Sequence, residues 1–151
     1  MNNQPAAELV AKRERTYCDC DQCKVPCHHQ PGYLVPSDVD RIAKNLGTTR
    51  EFFVKTTLRA VNTHVTVDDG EEFDIPLLTP VLARDGGCIL FDKDKGQCLV
   101  HQVAPYGCRC FNACSPQDDD HERNADAFAA IMEDPKYLED WSTLNDRQNQ
   151  D

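Results

Sequence analysis

Nine cysteines are gathered at two places in this chain of 151 residues, and they are its strongest chemical signal. The N-terminal cysteine group lies within residues 18–27 and is followed at once by His28 and His29, and the distal cysteine group lies within residues 88–114. The cysteines are Cys18, Cys20, Cys23, Cys27, Cys88, Cys98, Cys108, Cys110 and Cys114. Short gaps between thiolates let a loop present several sulfurs to one ion, and zinc and iron accept such ligands. The sequence therefore predicts a metal site.

A disulfide framework is the alternative use of these cysteines. It requires an oxidising compartment, and residues 1–8 lack the apolar stretch of a secretory signal. An odd number of cysteines also cannot pair completely within one chain. No segment is long and apolar enough to cross a bilayer. We therefore expect a soluble, cytoplasmic protein with reduced thiols, and we favour metal binding over disulfides.

The charge balance argues against nucleic acid as a partner. The chain has 16 basic and 26 acidic residues, for a formal net charge of -10. Its basic residues are scattered, whereas nucleic-acid-binding domains group them on one face. The densest charge, Asp118 to Asp120 with Glu122, is typical of the solvated first turn of a helix. A metal ion is the expected partner, with no nucleic acid and no membrane.

Helix signals surround the N-terminal cysteine group. Residues 6–15 predict a short leading helix, and the cysteines themselves predict a loop that is stiffened by Pro26. After this loop, Ser37 is the expected N-cap of a helix that ends at Gly47. Thr48 and Glu51 have the spacing of a capping box, which predicts a second helix carrying Phe52, Phe53 and Leu58.

Strand signals occupy the middle of the chain. Val65 and Val67 alternate with polar residues, Asp69 and Gly70 predict a hairpin turn, and Phe73 and Ile75 resume the alternation. Residues 77–83 predict another strand.

A second hairpin is expected in the distal cysteine group. Residues 86–87 are both glycine and break the chain, and the polar residues 92–97 predict a turn. Cys88 and Cys98 should then lie on facing arms of this hairpin, from which both sulfurs can reach one point.

Helical signals return near the C-terminus. Ser115 and Pro116 open a predicted helix that runs to Met132 with Phe128, Ile131 and Met132 as its apolar side. Asp134 and Pro135 open another, with Tyr137, Leu138, Trp141 and Leu144. The polar residues 146–151 are expected to fray.

These elements predict an α+β fold in one small domain over residues 1–151. In it, the cysteine-cluster metal site joins an N-terminal knuckle to a distal β-hairpin, with flanking helices.

The residue pattern resembles the YkgJ-type cysteine-cluster family, whose members are described as zinc- or iron-chelating domains. The segments that carry the resemblance are Cys20-Asp-Gln-Cys23-Lys-Val-Pro-Cys27, Val35 to Ala43, Cys88-Ile-Leu-Phe91, Cys98, and Pro105-Tyr-Gly-Cys108-Arg109. It spans residues 18–111, the family-like core, and leaves residues 115–145 as a helical C-terminal extension. It implies a zinc or iron site, or an iron-sulfur cluster, with ligands Cys20, Cys23, Cys27, Cys88, Cys98 and Cys108.

Departures from the family pattern extend the list of ligand candidates. His28 stands where the family has a second adjacent cysteine, and imidazole also binds zinc and iron. Cys18 and Cys110 are additional thiols and further candidates. Ala104 replaces an arginine that often precedes the proline. Cys114 matches nothing in the family and adjoins a helix start, so we expect it to be a reactive, exposed or inert thiol rather than a ligand.

The isolated histidines and Arg109 can also have roles that involve no metal. We expect the isolated histidines to be surface or core residues, and His101, close to Cys98, is the strongest exception. Arg109 lies between two cysteines and can either donate hydrogen bonds to thiolate sulfur or form a surface ion pair.

Two classes of function remain open at this point. In the first, a structural or chelating metal site holds the domain together. In the second, the thiolates hold iron for redox or group-transfer chemistry. The related flagellin lysine N-methylases suggest methyl transfer, but the chain lacks a recognisable glycine loop for S-adenosylmethionine. The sequence therefore assigns no catalytic residue.

Overall fold

The computed structural model describes residue 10 and residues 32–66, 70–84, 86–92, 94–100, 105–106 and 120–149. Within these ranges the elements, in chain order, are α1 (Pro36–Asn45), α2 (Arg50–Thr57), β1 (Leu58–Thr66), β2 (Glu72–Pro80), β3 (Phe91–Asp92), β4 (Gln97–Cys98), α3 (Asp120–Met132) and α4 (Pro135–Gln148). The strands form two antiparallel pairs, β1 with β2 and β3 with β4. The predicted α+β class in a small single domain is confirmed.

Helix α1 begins at Pro36, two residues earlier than a cap at Ser37 would place it. Val35 is the N-cap, with an extended backbone (φ -97°, ψ 166°), and its N–H donates to Asp38 Oδ2 at 3.1 Å. Ser37 lies inside the first turn and is exposed, so its prediction as the N-cap is wrong. Pro36 suits the first helical position because that position needs no N–H, and Asp38 supplies the carboxylate that the open helix end requires.

The end of α1 is confirmed at Gly47. Gly47 has φ 74° and donates its N–H to Lys44 O at 3.0 Å, while Thr48 donates to Ala43 O at 3.0 Å. This pair of bonds is the Schellman arrangement, in which glycine supplies the left-handed residue. Because the Thr48 N–H closes α1, Thr48 does not begin the next helix.

Helix α2 is capped by Thr49, whose Oγ1 accepts a hydrogen bond from Phe52 N at 3.1 Å. The predicted capping box at Thr48 is therefore wrong by one residue. Phe53 is buried as expected, but Phe52 is 59% exposed and Leu58 begins β1 instead of continuing the helix.

The predicted hairpin is confirmed as β1 and β2 and is longer than predicted, while Val67 and Asp69 lie outside the described residues. Val65 lies opposite Phe73, and each strand has nine residues, so β2 runs to Pro80. The separate strand predicted at 77–83 is therefore wrong. The last pair of the ladder joins Pro80 to Leu58, the first residue of β1. The next residue, Val81, donates its N–H to Thr57 O at 2.8 Å.

The main core lies between this hairpin and the helices. Buried side chains from α1, α2, both long strands, α3 and α4 form one cluster that includes Ile42, Phe53, Leu58, Leu78, Ile131, Tyr137 and Leu144. Helix α3 buries Ala127, Ala130 and Ile131, whereas Met132 is 51% exposed. The predicted apolar side of this helix is thus wrong at Met132, which is the last residue of the helix.

Helix α4 starts as predicted and extends further than predicted. Asp134 accepts a hydrogen bond from Tyr137 N at 2.9 Å, and Pro135 is the first helical residue. At its other end, Gln148 exchanges two hydrogen bonds with the backbone of Ala60, at 2.8 and 3.1 Å. The expected fraying of residues 146–151 is wrong up to Gln148, because this side chain pairs with β1 as a neighbouring strand would.

Tyr137 completes a buried backbone pairing between the chain before α1 and β2. Leu34 N donates to Leu78 O at 2.8 Å, Leu78 N donates to the Tyr137 hydroxyl at 2.8 Å, and that hydroxyl donates to Leu34 O at 2.6 Å. Burial raises the pKa of Tyr137, so the hydroxyl stays neutral and keeps its proton as a donor.

Replacing Tyr137 by phenylalanine is expected to lower the free energy of unfolding by about 1–3 kcal/mol, since it leaves the N–H of Leu78 and the carbonyl of Leu34 without this partner in a buried site. Urea denaturation measures the change. Tyr33→Phe is the matched control, because the Tyr33 hydroxyl bonds Asn124 Oδ1 at the surface, and it should change stability by less than about 0.5 kcal/mol. Equal losses in both variants would contradict the structural role of the Tyr137 hydroxyl.

Candidate metal centre

Two of the predicted metal ligands, Cys88 and Cys98, lie in the described part of the chain. The other predicted ligands lie outside the described residues: Cys18, Cys20, Cys23, Cys27, His28, Cys108 and Cys110. Cys114, His29 and His101 lie outside them as well.

Cys88 is held against the end of β2. It forms an antiparallel bridge with Leu82, and hydrogen bonds flank this bridge from Ala83 N to Gly87 O at 2.6 Å and from Ile89 N to Val81 O at 3.0 Å. The side chain of Cys88 is 6% exposed and belongs to the main core cluster. The position of Cys88 is therefore fixed by both backbone pairing and apolar packing.

A tight turn directs a backbone donor at the sulfur of Cys88. Leu90 N lies 3.4 Å from Cys88 Sγ, and Phe91 N donates to Cys88 O at 3.0 Å. An N–H aimed at sulfur stabilises negative charge there, which is the charge state of a metal-bound thiolate.

The second hairpin is confirmed, but its pairing differs from the prediction. Cys98 lies opposite Phe91, Asp92 lies opposite Gln97, and Leu99 N donates to Leu90 O at 2.7 Å. Cys88 does not lie on the arm that faces Cys98, because the turn from Cys88 to Phe91 precedes β3. The prediction that the two cysteines occupy facing arms is therefore wrong, although both adjoin the same short hairpin.

The turn of this hairpin is closed by Asp92. Its Oδ1 accepts hydrogen bonds from Asp94 N at 2.9 Å and Lys95 N at 3.2 Å, and its carbonyl accepts from Gly96 N at 2.8 Å. Gly96 has φ 68°, a backbone conformation that glycine adopts without strain. These bonds determine the direction in which β4 returns with Cys98.

Asp38 connects α1 to the segment that leads into Cys108. Its carboxylate is fully buried, and Oδ2 accepts hydrogen bonds from Val35 N at 3.1 Å and from Tyr106 N at 2.8 Å. Its Oδ1 pairs with Arg41. Tyr106 precedes Cys108 by two residues, so Asp38 fixes the chain close to a predicted ligand. Asp38 is not among the residues predicted from the sequence, although a carboxylate three residues after an N-cap is a recognised capping signal.

A second apolar cluster joins segments that flank both cysteine groups. It consists of Val10, Val35, Tyr106, Ala127 and Ala130, with Tyr33 packed against it. The ring centroid of Tyr33 lies 6.1 Å from that of Tyr106 and 5.6 Å from that of Phe128. Residue 10 precedes the N-terminal cysteine group, residues 33 and 35 follow it, and residue 106 precedes Cys108. The chain on either side of the N-terminal group thus packs in one cluster with Tyr106.

Within the described ranges, no three or more histidine, cysteine, aspartate or glutamate side chains are placed to share a metal ion. Only two predicted ligands fall in those ranges. His64 is exposed on the long hairpin, where it lies 3.0 Å from Asp74 and 3.6 Å from Glu72. Hydrogen bonds to Asp74, and then to Glu72, raise the pKa of His64. The structure therefore places His64 on the surface.

The donor set suits zinc or iron better than a hard cation. The predicted ligands are thiols and one imidazole, and both metals bind these groups, whereas magnesium and calcium prefer oxygen. The N–H donor at Cys88 Sγ is compatible with a charged thiolate at this position.

Comparison with known proteins places the chain in a family. No helix among the described residues is long and apolar enough to span a membrane. No curated protein and no solved structure matches the chain. A family model, CxxCxxCC, described as "Putative zinc- or iron-chelating domain", matches residues 19–132, roughly three quarters of the chain. This match confirms the resemblance to a cysteine-cluster family and extends through α3. The chain therefore belongs to the CxxCxxCC family of zinc- or iron-chelating domains.

Proposed function

We propose that this protein is a cytoplasmic metal-chelating domain in which one metal centre, of zinc or iron, ties the N-terminal cysteine group to the distal cysteine group. The proposed ligands are Cys20, Cys23, Cys27, Cys88, Cys98 and Cys108, with Cys18, His28 and Cys110 as further candidates. The centre is structural in this proposal: its binding energy holds the N-terminal segment on the rest of a single domain.

The second apolar cluster is the observation that carries the proposal. Val10 and Val35 lie on either side of the N-terminal cysteine group, and both pack in the same cluster as Tyr106. A chain that leaves this cluster before Cys18 and returns to it after His28 can bring its cysteines to Cys108, which follows Tyr106 by two residues. The cluster therefore supports convergence of the two groups.

The small size of this cluster favours a structural role for the metal. Its buried members are three larger side chains and two alanines, so its apolar packing is modest compared with the main core. Each fully buried apolar side chain contributes about 1.5–3 kcal/mol before the entropy of ordering the chain is counted. Metal ligation would offset that entropy for the N-terminal segment.

The metal content of protein purified without oxygen tests the proposal. Elemental analysis should find stoichiometric zinc or iron in the native protein. Cys27→Ser and Cys108→Ser should each reduce that content, because each removes a proposed ligand. Cys114→Ser is the matched control and should leave the metal content unchanged. Full metal content in Cys27→Ser and Cys108→Ser, or protein without metal, would contradict the proposed centre.

An iron or iron-sulfur centre that performs redox or group-transfer chemistry is the alternative. Nine cysteines exceed the four ligands of one closed tetrahedral site, and a backbone N–H donates to Cys88 Sγ, as donors do in iron-sulfur sites. Brown protein with broad visible absorbance would favour this alternative. Colourless protein with stoichiometric zinc would favour the structural centre.

A further inference from the structure

A cleft on the side of the domain formed by α2, β1 and α4 has the character of an anion-binding site. Its volume is about 550 Å³, which is within the usual range for small-molecule sites. Three basic side chains line it, Lys55 from α2, Arg59 from β1 and Arg147 from α4, and none of the described residues that line it is acidic. Such a grouping stands out in a chain with a formal net charge of -10.

The three basic side chains are available for a ligand. In the part of the chain that the structure describes, none of them forms an ion pair with a carboxylate, in contrast to Arg50, which pairs with Asp40 and Asp140. Arg59 donates from Nε to Thr79 Oγ1 at 3.3 Å, which leaves its two terminal nitrogens for an anion.

The floor of the cleft is apolar. Leu58 and Leu144 are buried there, and Val81 is partly buried. Gln148, which also lines the cleft, uses its amide to bond the backbone of Ala60 and so holds the C-terminal turn of α4 in place. A ligand that fits this surface combines a charged group for the basic rim with an apolar body for the floor.

We infer that the cleft formed by Lys55, Arg59, Arg147 and the floor of Leu58, Val81 and Leu144 binds a small phosphate monoester with an apolar ester group. Three cations around one group match the double negative charge of a phosphate monoester better than the single charge of a carboxylate. None of the residues that line the cleft is a proposed metal ligand.

Calorimetric titration of the full chain with phenylphosphate tests the inference, with benzoate and benzyl alcohol as ligands of similar shape and lower charge. We expect saturable binding of phenylphosphate, weaker binding of benzoate, and none of benzyl alcohol. Raising the ionic strength from about 0.05 to about 0.5 M should weaken the binding, because the rim is solvent-accessible. Equal affinities for phenylphosphate and benzoate would overturn the assignment of a phosphate group.

Single substitutions locate the binding. Lys55→Gln and Arg147→Gln lie at exposed positions where folding should persist, and each should weaken phenylphosphate binding about fivefold or more by removing a charged donor. Lys44→Gln, on the exposed side of α1, is the matched control and should leave the affinity unchanged. Loss of affinity in the control to the same degree would show general charge attraction and overturn the site.

Two further experiments complete the test. The first distinguishes a small soluble phosphate from a lipid phosphate, and the second distinguishes the cleft from the metal centre. Sedimentation with vesicles of phosphatidylcholine and phosphatidic acid, without any binding of phenylphosphate, would overturn the assignment of a small soluble ligand. Phenylphosphate should also bind Cys114→Ser with unchanged affinity, and the metal content of Arg147→Gln should equal that of the native protein. A failure of the cleft is therefore distinguishable from a failure of the metal centre.

Discussion

Removal of the metal by a strong chelator is expected to lower the melting temperature of this domain by roughly 10 °C or more, which corresponds to a loss of several kcal/mol. The physical reason is that a site assembled from distant segments does not exist in the unfolded chain, so its binding free energy contributes directly to folding. Calorimetry before and after chelation, followed by addition of zinc or iron, measures the effect and its reversal.

A variant separates this effect from nonspecific action of the chelator. Cys23→Ser should melt at a similarly lowered temperature without chelator, because it breaks the N-terminal cysteine group. Cys114→Ser should melt like the native protein and should respond fully to chelation. If both the chelated protein and Cys23→Ser melt at the native temperature, the cysteines have no structural role and the proposed centre is wrong.

Replacement of Asp38 by alanine is expected to lower the free energy of unfolding by about 3–5 kcal/mol, the second large effect. The substitution leaves the N–H groups of Val35 and Tyr106 without this acceptor in a fully buried site, and it removes the partner of Arg41. Urea denaturation measures the loss. Metal content provides a second readout, because Asp38 fixes the chain that leads into Cys108.

Two matched variants make the Asp38 prediction specific. Asp38→Asn keeps a carbonyl oxygen that can accept both N–H groups, so it should cost less than the alanine variant while losing the ion pair with Arg41. Ser37→Ala changes an exposed neighbour and should alter stability by less than about 0.5 kcal/mol. Similar stabilities for Asp38→Ala and Ser37→Ala would show that the buried carboxylate does not hold these segments together.

Features that depend on neighbouring residues were predictable from the chain alone. Gly47 ends α1 because a left-handed residue is needed there, and Asp134 caps α4 because its carboxylate reaches an N–H three residues ahead. The long hairpin is similar, since alternation of apolar and polar residues predicts it. The spacing of the cysteines is also a feature of neighbouring residues. It indicated a cysteine-cluster family, and the family match over residues 19–132 confirms it.

Errors at element ends arose where two local signals competed. Thr48 and Thr49 can both cap a helix, and only the bond from Thr48 N to Ala43 O assigns Thr48 to α1. Residues 77–83 are apolar enough for a strand of their own, and only the register with β1 shows that β2 continues to Pro80. In both cases the choice depends on a backbone partner and not on propensity.

Contacts between distant segments could not be read from the sequence. The amide of Gln148 on Ala60, the hydroxyl of Tyr137 between Leu34 and Leu78, and the carboxylate of Asp38 on Tyr106 each join residues far apart in the chain. No local pattern encodes such pairings, because many polar side chains can serve any buried N–H and packing selects among them.

The sequence therefore determines which chemical groups the protein has, and the tertiary structure determines which of them are neighbours. The residue types and their spacing define a thiol-rich ligand set for zinc or iron, since coordination preference depends on the donor atoms. The order of the chain does not say that Phe91, and not Cys88, faces Cys98, or that Val10 and Tyr106 share one cluster. Those relations follow from burial of apolar surface and pairing of backbone groups over the whole domain, which are properties of the folded chain.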